Sequence, residues 1–240
     1  MMKRNGAKVL VTGASRGIGE GIARRFHEIG SFVVGTATRK PDNDPGYVSE
    51  WLEADFSDTA SLSDFCTGLA EMDGFDVCVN NAGINIIKPL DEVGSKDYER
   101  IQRINLEAPY EIAKAMVPGM RNLGGGKIVN VASIWSCITK AHRSLYSTTK
   151  AGLVGMTKAL AVELAPDNIL VNAVSPGFTM TDLTRKSLSE DQMSELSKTV
   201  PLGRFAEVDE IAGVVLFLSG DQNTYLTGQN LVVDGGFTIV

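Results

Sequence analysis

Lys8 to Thr12 reads Lys-Val-Leu-Val-Thr and passes straight into Thr12-Gly13-Ala14-Ser15-Arg16-Gly17-Ile18-Gly19, after which Ile22, Ala23 and Phe26 recur at helical spacing. A β-branched run, a glycine cluster and an amphipathic pattern in that order predict a buried strand, a tight turn and a helix N-terminus. Glycine lets the backbone turn sharply and lets a pyrophosphate come close, while the unpaired N–H groups of a helix start favour anionic oxygens. The spacing is GxxxGxG rather than GxGxxG, and the Lys-Ser/Thr ending of a triphosphate-binding loop is missing. A plain structural turn would also explain the glycines, so the rest of the chain has to decide.

Outward from this unit the same alternation continues. Phe32 to Thr36, Asp76 to Asn80, Lys127 to Ala132, Ile169 to Ser175 and Asn230 to Asp234 read as buried strands, with a weaker one at Trp51 to Ala54, and helix-period segments lie between them. Parallel strands need crossovers and bury both faces, so the expected fold is α/β: a single doubly wound Rossmann domain over residues 1–240 with a seven-stranded, mainly parallel sheet. Two segments depart from the rhythm. Lys40 to Ser49, with Pro41, Asp42, Asn43, Asp44, Pro45 and Gly46, predicts a loop in place of a crossover helix. Residues 178–199, rich in Thr, Ser and charge, form an insertion with a helical stretch near Leu188 to Lys198 and are expected to serve as a substrate lid; a surface connection is the alternative.

Composition narrows the function classes. The 240 residues are 43% hydrophobic and 22% charged, enough for one substantial core. Twenty-three basic against twenty-nine acidic residues leave a net charge of −6, a field that repels phosphate backbones and anionic membranes, so no nucleic-acid or membrane partner is expected. Cys66, Cys78 and Cys137 form no CxxC pair, and two of them sit in apolar contexts, which suits the reducing cytoplasm. The apolar run after Lys3 and Arg4 stops at Val11, too short for a signal peptide, and Val214 to Leu218 is far short of a membrane span.

Further motifs follow in order: Asn80-Asn81-Ala82-Gly83 at the end of a strand, Asn105 in the next helix, Ser133 at the end of another strand, Tyr146-Ser147-Thr148-Thr149-Lys150 opening a helix, and Ser175-Pro176-Gly177. Together with Thr12 to Gly19 they resemble the short-chain dehydrogenase/reductase family in identity, order and spacing over essentially the whole chain. Within it the closest likeness is to bacterial 3-oxoacyl-thioester reductases, through the glycine turn, the Gly35 to Thr38 run, Pro176 to Phe178 and the ending Asp234-Gly235-Gly236.

The chemistry of these residues can be argued directly. A tyrosine hydroxyl near pKa 10 is a poor acid or base at neutrality and needs a neighbouring cation. Lys150, one turn from Tyr146 on the same helical face, can supply it, and the Ser133 hydroxyl can hold a substrate oxygen beside the phenol. The resemblance implies that Tyr146 is general acid in carbonyl reduction and base in alcohol oxidation. It further implies that Ser133 polarises the oxygen, that Lys150 tunes Tyr146 and holds the nicotinamide ribose, and that Asn105 supports a proton-relaying water. The cofactor-binding set it implies is Gly13, Ser15, Arg16, Gly17, Ile18, Gly19, Thr38, Arg39, Asp55 (adenine amino group), Phe56, Asn81, Ala82 and Gly83 (adenosine ribose), Tyr146, Lys150, Pro176, Gly177, Thr179 and Thr181. No acid stands at the end of the second strand until Asp42, where an NAD site usually places one. Arg16, Thr38 and Arg39 can instead receive a 2′-phosphate, so NADP(H) is expected over NAD(H). The alternative leaves both arginines as solvated charges with Asp42 folded back onto the ribose.

Trp135, His142, Arg143, Phe178 and Met180 flank the catalytic segment or the lid and are candidate substrate contacts, with core packing as the alternative; Cys137 and Ile138 share that position. His27 falls on a surface helix face, and two isolated histidines build no metal site. Ala151, Gly155 and Ala159 recur every four residues on the Tyr146 to Ala165 helix, and the last strand ends near the terminus; in the family such surfaces join tetramers, so a homotetramer is expected. The leading function is an NADP(H)-dependent reductase or dehydrogenase interconverting a ketone and a secondary alcohol, acting on a small ketone, alcohol or acyl thioester. Asp167 stands where a carrier-facing base is usual and Lys127 keeps the other, so a free small molecule or coenzyme A ester suits as well as a carrier-bound substrate. The alternatives are an NAD-linked sugar, polyol or other alcohol dehydrogenase and a non-catalytic NADP(H) sensor.

Overall fold

The computed structural model describes residues 6–44 and 46–240, so Lys3, Arg4 and Pro45 lie outside the described residues. Nine strands occur in it: β1 (Lys8–Val11), β2 (Phe32–Ala37), β3 (Glu50–Glu53), β4 (Val77–Asn80), β5 (Gly126–Val131), β6 (Ile169–Pro176), β7 (Thr179–Met180), β8 (Ala206–Glu207) and β9 (Asn230–Val233). Seven form one sheet in the order β3-β2-β1-β4-β5-β6-β9, and every neighbouring pair is parallel. All seven expected strands are present. The order turns back between β1 and β4, which opens a crevice at the carboxyl ends of those strands.

Eight α-helices accompany them: α1 (Gly17–Glu28), α2 (Thr59–Glu71), α3 (Ser95–Gln102), α4 (Ala108–Asn122), α5 (Ser144–Leu164), α6 (Asp182–Ser187), α7 (Glu190–Lys198) and α8 (Val208–Ser219). The strands alternate their side chains between two apolar layers. Val9, Val11, Val33, Val79 and Val129 meet Ile22 and Phe26 of α1 and Ile211 and Val215 of α8 on one face. Leu10, Val34, Cys78, Ile128 and Val171 meet α2, α4 and α5 on the other, through Phe65, Leu69, Ile112, Met116 and Leu164. Burial on both faces explains why the strands read as unbroken apolar runs.

No helix bridges β2 and β3 among the described residues, as the proline-rich segment implied. In residues 178–199 the expected helix is α7, closed by a capping box between Ser189 and Gln192. That segment also holds the short α6 and β7, and β7 pairs with β8 in a second, two-stranded sheet that local patterning did not reveal.

One polar chain crosses the apolar interior. Asn80 Nδ2 donates to Asn130 Oδ1 (2.9 Å) on the neighbouring strand, and Asn130 Nδ2 donates to Thr157 Oγ1 (2.9 Å) on α5. All three side chains are buried. Replacing Asn130 by Ala strands the Asn80 amide, which should cost about 2 kcal/mol and lower Tm by roughly 4–8 °C for a domain of this size; thermal unfolding followed by circular dichroism measures it.

Candidate active site

The glycine turn is fastened to both neighbouring strands. Gly13 N donates to Thr36 Oγ1 (3.1 Å) and Ala14 N to Thr36 O (2.9 Å) on β2. On the β4 side the Thr12 hydroxyl accepts from Asn81 N (2.9 Å) and Ala82 N (3.0 Å), and Asn81 Nδ2 returns a bond to Thr12 O (2.9 Å). Gly13 and Gly17 take φ of +66° and +59°, and a methyl group on Gly19 would stand 2.2 Å from Gly13 O, so these positions require glycine. Helix α1 begins at Arg16 with no side-chain cap. Its first amides are therefore left for an anion, beside exposed Ser15 and partly exposed Ile18.

Thr38 and Arg39 follow β2 in solvent, and the Arg39 guanidinium lies 3.9 Å from the Asp42 carboxylate with both side chains more than 80% exposed. A pair so solvated is weak and leaves the guanidinium available. Asp55 is exposed; its carboxyl is held below the ordinary range chiefly by hydrogen bonding with Ser57, whose N–H donates at 2.8 Å. Phe56 is buried and packs edge-on against Phe65. Gly83 packs closely on Asn105 and Lys150: a Cβ there would lie 3.3 Å from Asn105 Oδ1 and 3.5 Å from Lys150 Nζ.

Asn105 sits in a five-residue π turn, Arg103–Glu107, set between α3 and α4. That insertion is a bulge of the kind found at functional sites. Its side-chain amide is consumed as a clamp: Oδ1 accepts from Ile84 N (2.9 Å), while Nδ2 donates to Ile84 O (2.9 Å) and Thr149 Oγ1 (3.1 Å). It thereby ties the loop after β4 to α5. Lys150 is buried, and its ammonium donates to Val131 O (2.7 Å) at the end of β5. Burial pushes its pKa down to about 8. The same ammonium lies 5.7 Å from the centre of the Tyr146 ring. Burial pushes the Tyr146 hydroxyl up, against the opposing pulls of a hydrogen bond with Ser133 and the charge of Arg143. Ser133 Oγ also accepts from Trp135 N (3.3 Å). Behind it, Ser175 Oγ donates to Asn230 Oδ1 (2.7 Å) and lies 3.1 Å from Ser136 Oγ, a bracing network that the sequence did not disclose. Ser133, Tyr146 and Lys150 thus meet around one point where a substrate oxygen can be held and protonated.

The remaining candidates divide. Arg143 stacks on Trp135, 5.3 Å from guanidinium carbon to ring centre, at the mouth of the site. His142 is exposed with φ of +66°, and its carbonyl accepts from Lys88 N. Phe178 is engaged elsewhere, stacked on Phe205 (5.2 Å) and edge-on to Phe237 (5.0 Å), which fastens the start of the insertion to the carboxyl-terminal residues. Met180 lies in β7 and is partly exposed. Pro176 closes β6, and Gly177 packs where a Cβ would lie 2.7 Å from Asp234 Cα. Thr179 Oγ1 donates to Gly177 O (3.1 Å), Thr181 caps α6, and a Cβ on Gly17 would lie 3.6 Å from the Thr181 methyl. The insertion therefore reaches the glycine turn. Cys78 is buried, Cys66 partly so, and Cys137 and His27 are exposed. Among the described residues no group of His, Cys, Asp or Glu could hold a metal, and no helix is long and apolar enough to cross a membrane.

A nicotinamide dinucleotide fits these residues: an uncapped helix start and a glycine turn lie for its phosphates beside the Ser133–Tyr146–Lys150 cluster. Reduction needs Tyr146 protonated and Lys150 charged, and the ammonium is lost as pH rises through about 8. The rate of carbonyl reduction should hold below that pH and fall above it; Lys150→Arg should move the fall upward, and Tyr146→Phe should lose roughly 10²–10⁴-fold in kcat at every pH, as a pH series of initial rates will show.

A family profile described as enoyl-(acyl carrier protein) reductase matches residues 13–238. The chain is 37% identical to the 3-oxoacyl-[acyl-carrier-protein] reductase of Aquifex aeolicus, covering 98% of each. It is also 37% identical to that of Escherichia coli, covering 100% of each. Among solved structures it resembles the Thermoplasma acidophilum aldohexose dehydrogenase, with TM-score 0.91, 31% identity and coverage of 98% and 95%. A Burkholderia cenocepacia gluconate 5-dehydrogenase in complex with NADP and tartrate gives TM-score 0.90, 30% identity and coverage of 99% and 97%. Motif order, parallel sheet, clustered Ser133, Tyr146 and Lys150, and full-length similarity agree, and the chain belongs to the short-chain dehydrogenase/reductase family, as an oxidoreductase of CH–OH and C=O groups.

Proposed function

We propose that the protein is an NADP(H)-dependent reductase of a ketone, with Asn105, Ser133, Tyr146 and Lys150 as its catalytic set. The observation that carries the reading is the Lys150 ammonium, buried beside the Tyr146 ring and bonded to Val131 O. A cation so placed stabilises the phenolate that forms as Tyr146 gives up its proton. Ser133 holds the carbonyl oxygen, Tyr146 protonates it, and Asn105 keeps the β4 loop and α5 in register while the bulge around it serves the proton relay. NADPH, when bound, supplies the hydride.

The preference for NADP(H) rests on exposed Arg16 in the glycine turn and on exposed Thr38 and Arg39, which follow β2 where an NAD site usually places an acid; Asp42 meets Arg39 only in a solvated pair. The same-class relatives with bound NADP support it. The other cofactor contacts proposed are those of the glycine turn, Thr38, Asp55, the Phe56 backbone, Asn81 to Gly83, and Pro176, Gly177, Thr179 and Thr181. Residues 1–240 form one domain on this reading, with 178–199 as a lid whose Thr181 lies against Gly17 of the glycine turn.

A 3-oxoacyl thioester is supported by the 3-oxoacyl reductase relatives. Docking of an acidic carrier is not favoured by the two places considered. Asp167 is paired with Arg121 (2.7 Å), and Lys127 Nζ turns inward to Asn223 O (2.6 Å), with burial lowering its pKa. A free small molecule or a coenzyme A ester suits this surface better. The proposed assembly is a cytoplasmic homotetramer, for which exposed Ala151, Gly155, Ala159 and Val162 on α5 and Val232 on the edge strand β9 provide surfaces; a mass measurement in solution decides it.

NADPH consumption with acetoacetyl-coenzyme A, diketones and keto sugars tests the reaction, and Tyr146-dependent turnover is expected. Binding of NADPH with silence on every ketone would favour a sensor. Removing Arg16 and Arg39 together should weaken NADPH by roughly 10- to 100-fold through lost charge-assisted bonds and leave NADH unchanged; equal affinities for the two cofactors in the parent protein would overturn the assignment.

A further inference from the structure

Resting on the reading above, we propose that Arg143 is an anion receptor in the substrate site, and that the preferred substrate is an oxo acid whose carboxylate it holds a few atoms from the reacting carbonyl. Arg143 precedes Tyr146 by three residues at the start of α5, so the two side chains rise on the same face of the helix one turn apart. Trp135 comes two residues after Ser133 and offers its ring to the guanidinium at 5.3 Å. A cation–π contact restrains the guanidinium without using up its N–H donors, which can receive a planar carboxylate through two parallel bonds. The receptor and the oxygen-holding pair are therefore built from the same two short segments.

The charge on Arg143 has no answer within the described chain. Arg24, Arg25, Arg39, Arg103, Arg121 and Arg204 each hold a carboxylate within 4.0 Å. Arg16, Arg100 and Arg185 show no such pair and are exposed, whereas Arg143 shows none and is partly buried, and the one titrating group that acts on it is Tyr146. It is partly buried in a protein of net charge −6, where acids are plentiful. A partly desolvated cation without a counterion is costly, and a bound anion removes that cost. A neutral ketone or the uncharged neighbourhood of a thioester does not. The carboxylate stands outside the reaction: the carbonyl carbon gains hydride from NADPH, its oxygen gains the Tyr146 proton, and a hydroxy acid leaves with its charge unchanged.

The test uses acetoacetate, 4-oxopentanoate and 5-oxohexanoate, each beside its methyl ester, with two readouts. In a Trp51→Phe background Trp135 is the only tryptophan, so its emission with NADP+ present, where no hydride can pass to the ketone, reports occupancy at Arg143 independently of turnover. At least one carboxylate should perturb that emission with at least tenfold higher affinity than its ester, and Arg143→Gln should abolish the difference. In turnover, Arg143→Gln should raise KM for the acid at least tenfold and lower kcat/KM at least tenfold more for the acid than for its ester, any effect passed through Tyr146 being common to both. Equal response to acid and ester, an acid preference that survives in Arg143→Gln, or no response to any carboxylate each overturns the proposal. A parallel fall for acid and ester would instead make Arg143 a residue acting through Tyr146. Failure of all NADPH turnover would count against the reductase reading, and the emission titration would still judge Arg143.

Discussion

The Lys150 ammonium, enclosed by protein and bonded to the carbonyl of Val131, is the interaction on which the site depends. A buried cation is tolerated only where dipoles or charges receive it, and here the receiver is the backbone at the carboxyl end of a central strand. The bond ties α5 to the end of β5, and Tyr146 stands one turn earlier on the same helix. Thr149 completes the arrangement by accepting from Asn105 and donating to the Tyr146 carbonyl.

The same economy governs the crevice beside it. The backbone groups left over where β1, β2 and β4 end are satisfied by Thr12, Thr36 and Asn81 instead of by water. Those bonds stiffen the glycine turn from two sides. The amides they do not use belong to the uncapped start of α1, which is where an anion gains most from oriented dipoles. On the proposed function, anion recognition at the two ends of the crevice differs in kind: backbone amides and solvated arginines would serve the phosphate end, and the partly buried Arg143 guanidinium over Trp135 the substrate end.

Much was legible before any coordinates, because the deciding signals are local. A strand followed by a glycine turn and a helix start lies within twenty residues, and Tyr146 and Lys150 share a helical face by spacing alone. Other features depend on residues far apart in the chain. The β7–β8 pair joins Thr179 to Ala206, and Phe178, which reads as a substrate wall, is drawn into a ring cluster with Phe205 and Phe237. Lys127, a surface base by sequence, turns onto Asn223 because that loop leaves a carbonyl within its reach. The π turn at Asn105 carries no local mark either, since its extra residue is accommodated by contacts to Ile84 and Thr149.

The sequence by itself determined the parallel sheet, the order of strands and helices along the chain and, through motifs that resemble the family's, the identity of Ser133, Tyr146 and Lys150, since apolar periodicity and short motifs are properties of neighbouring residues. The tertiary structure alone decided which charges are answered. Whether Lys150 finds a carbonyl, Arg39 finds Asp42, or Arg143 is left with only an aromatic face depends on packing between segments tens of residues apart, and electrostatic energy is set by distance and burial in space.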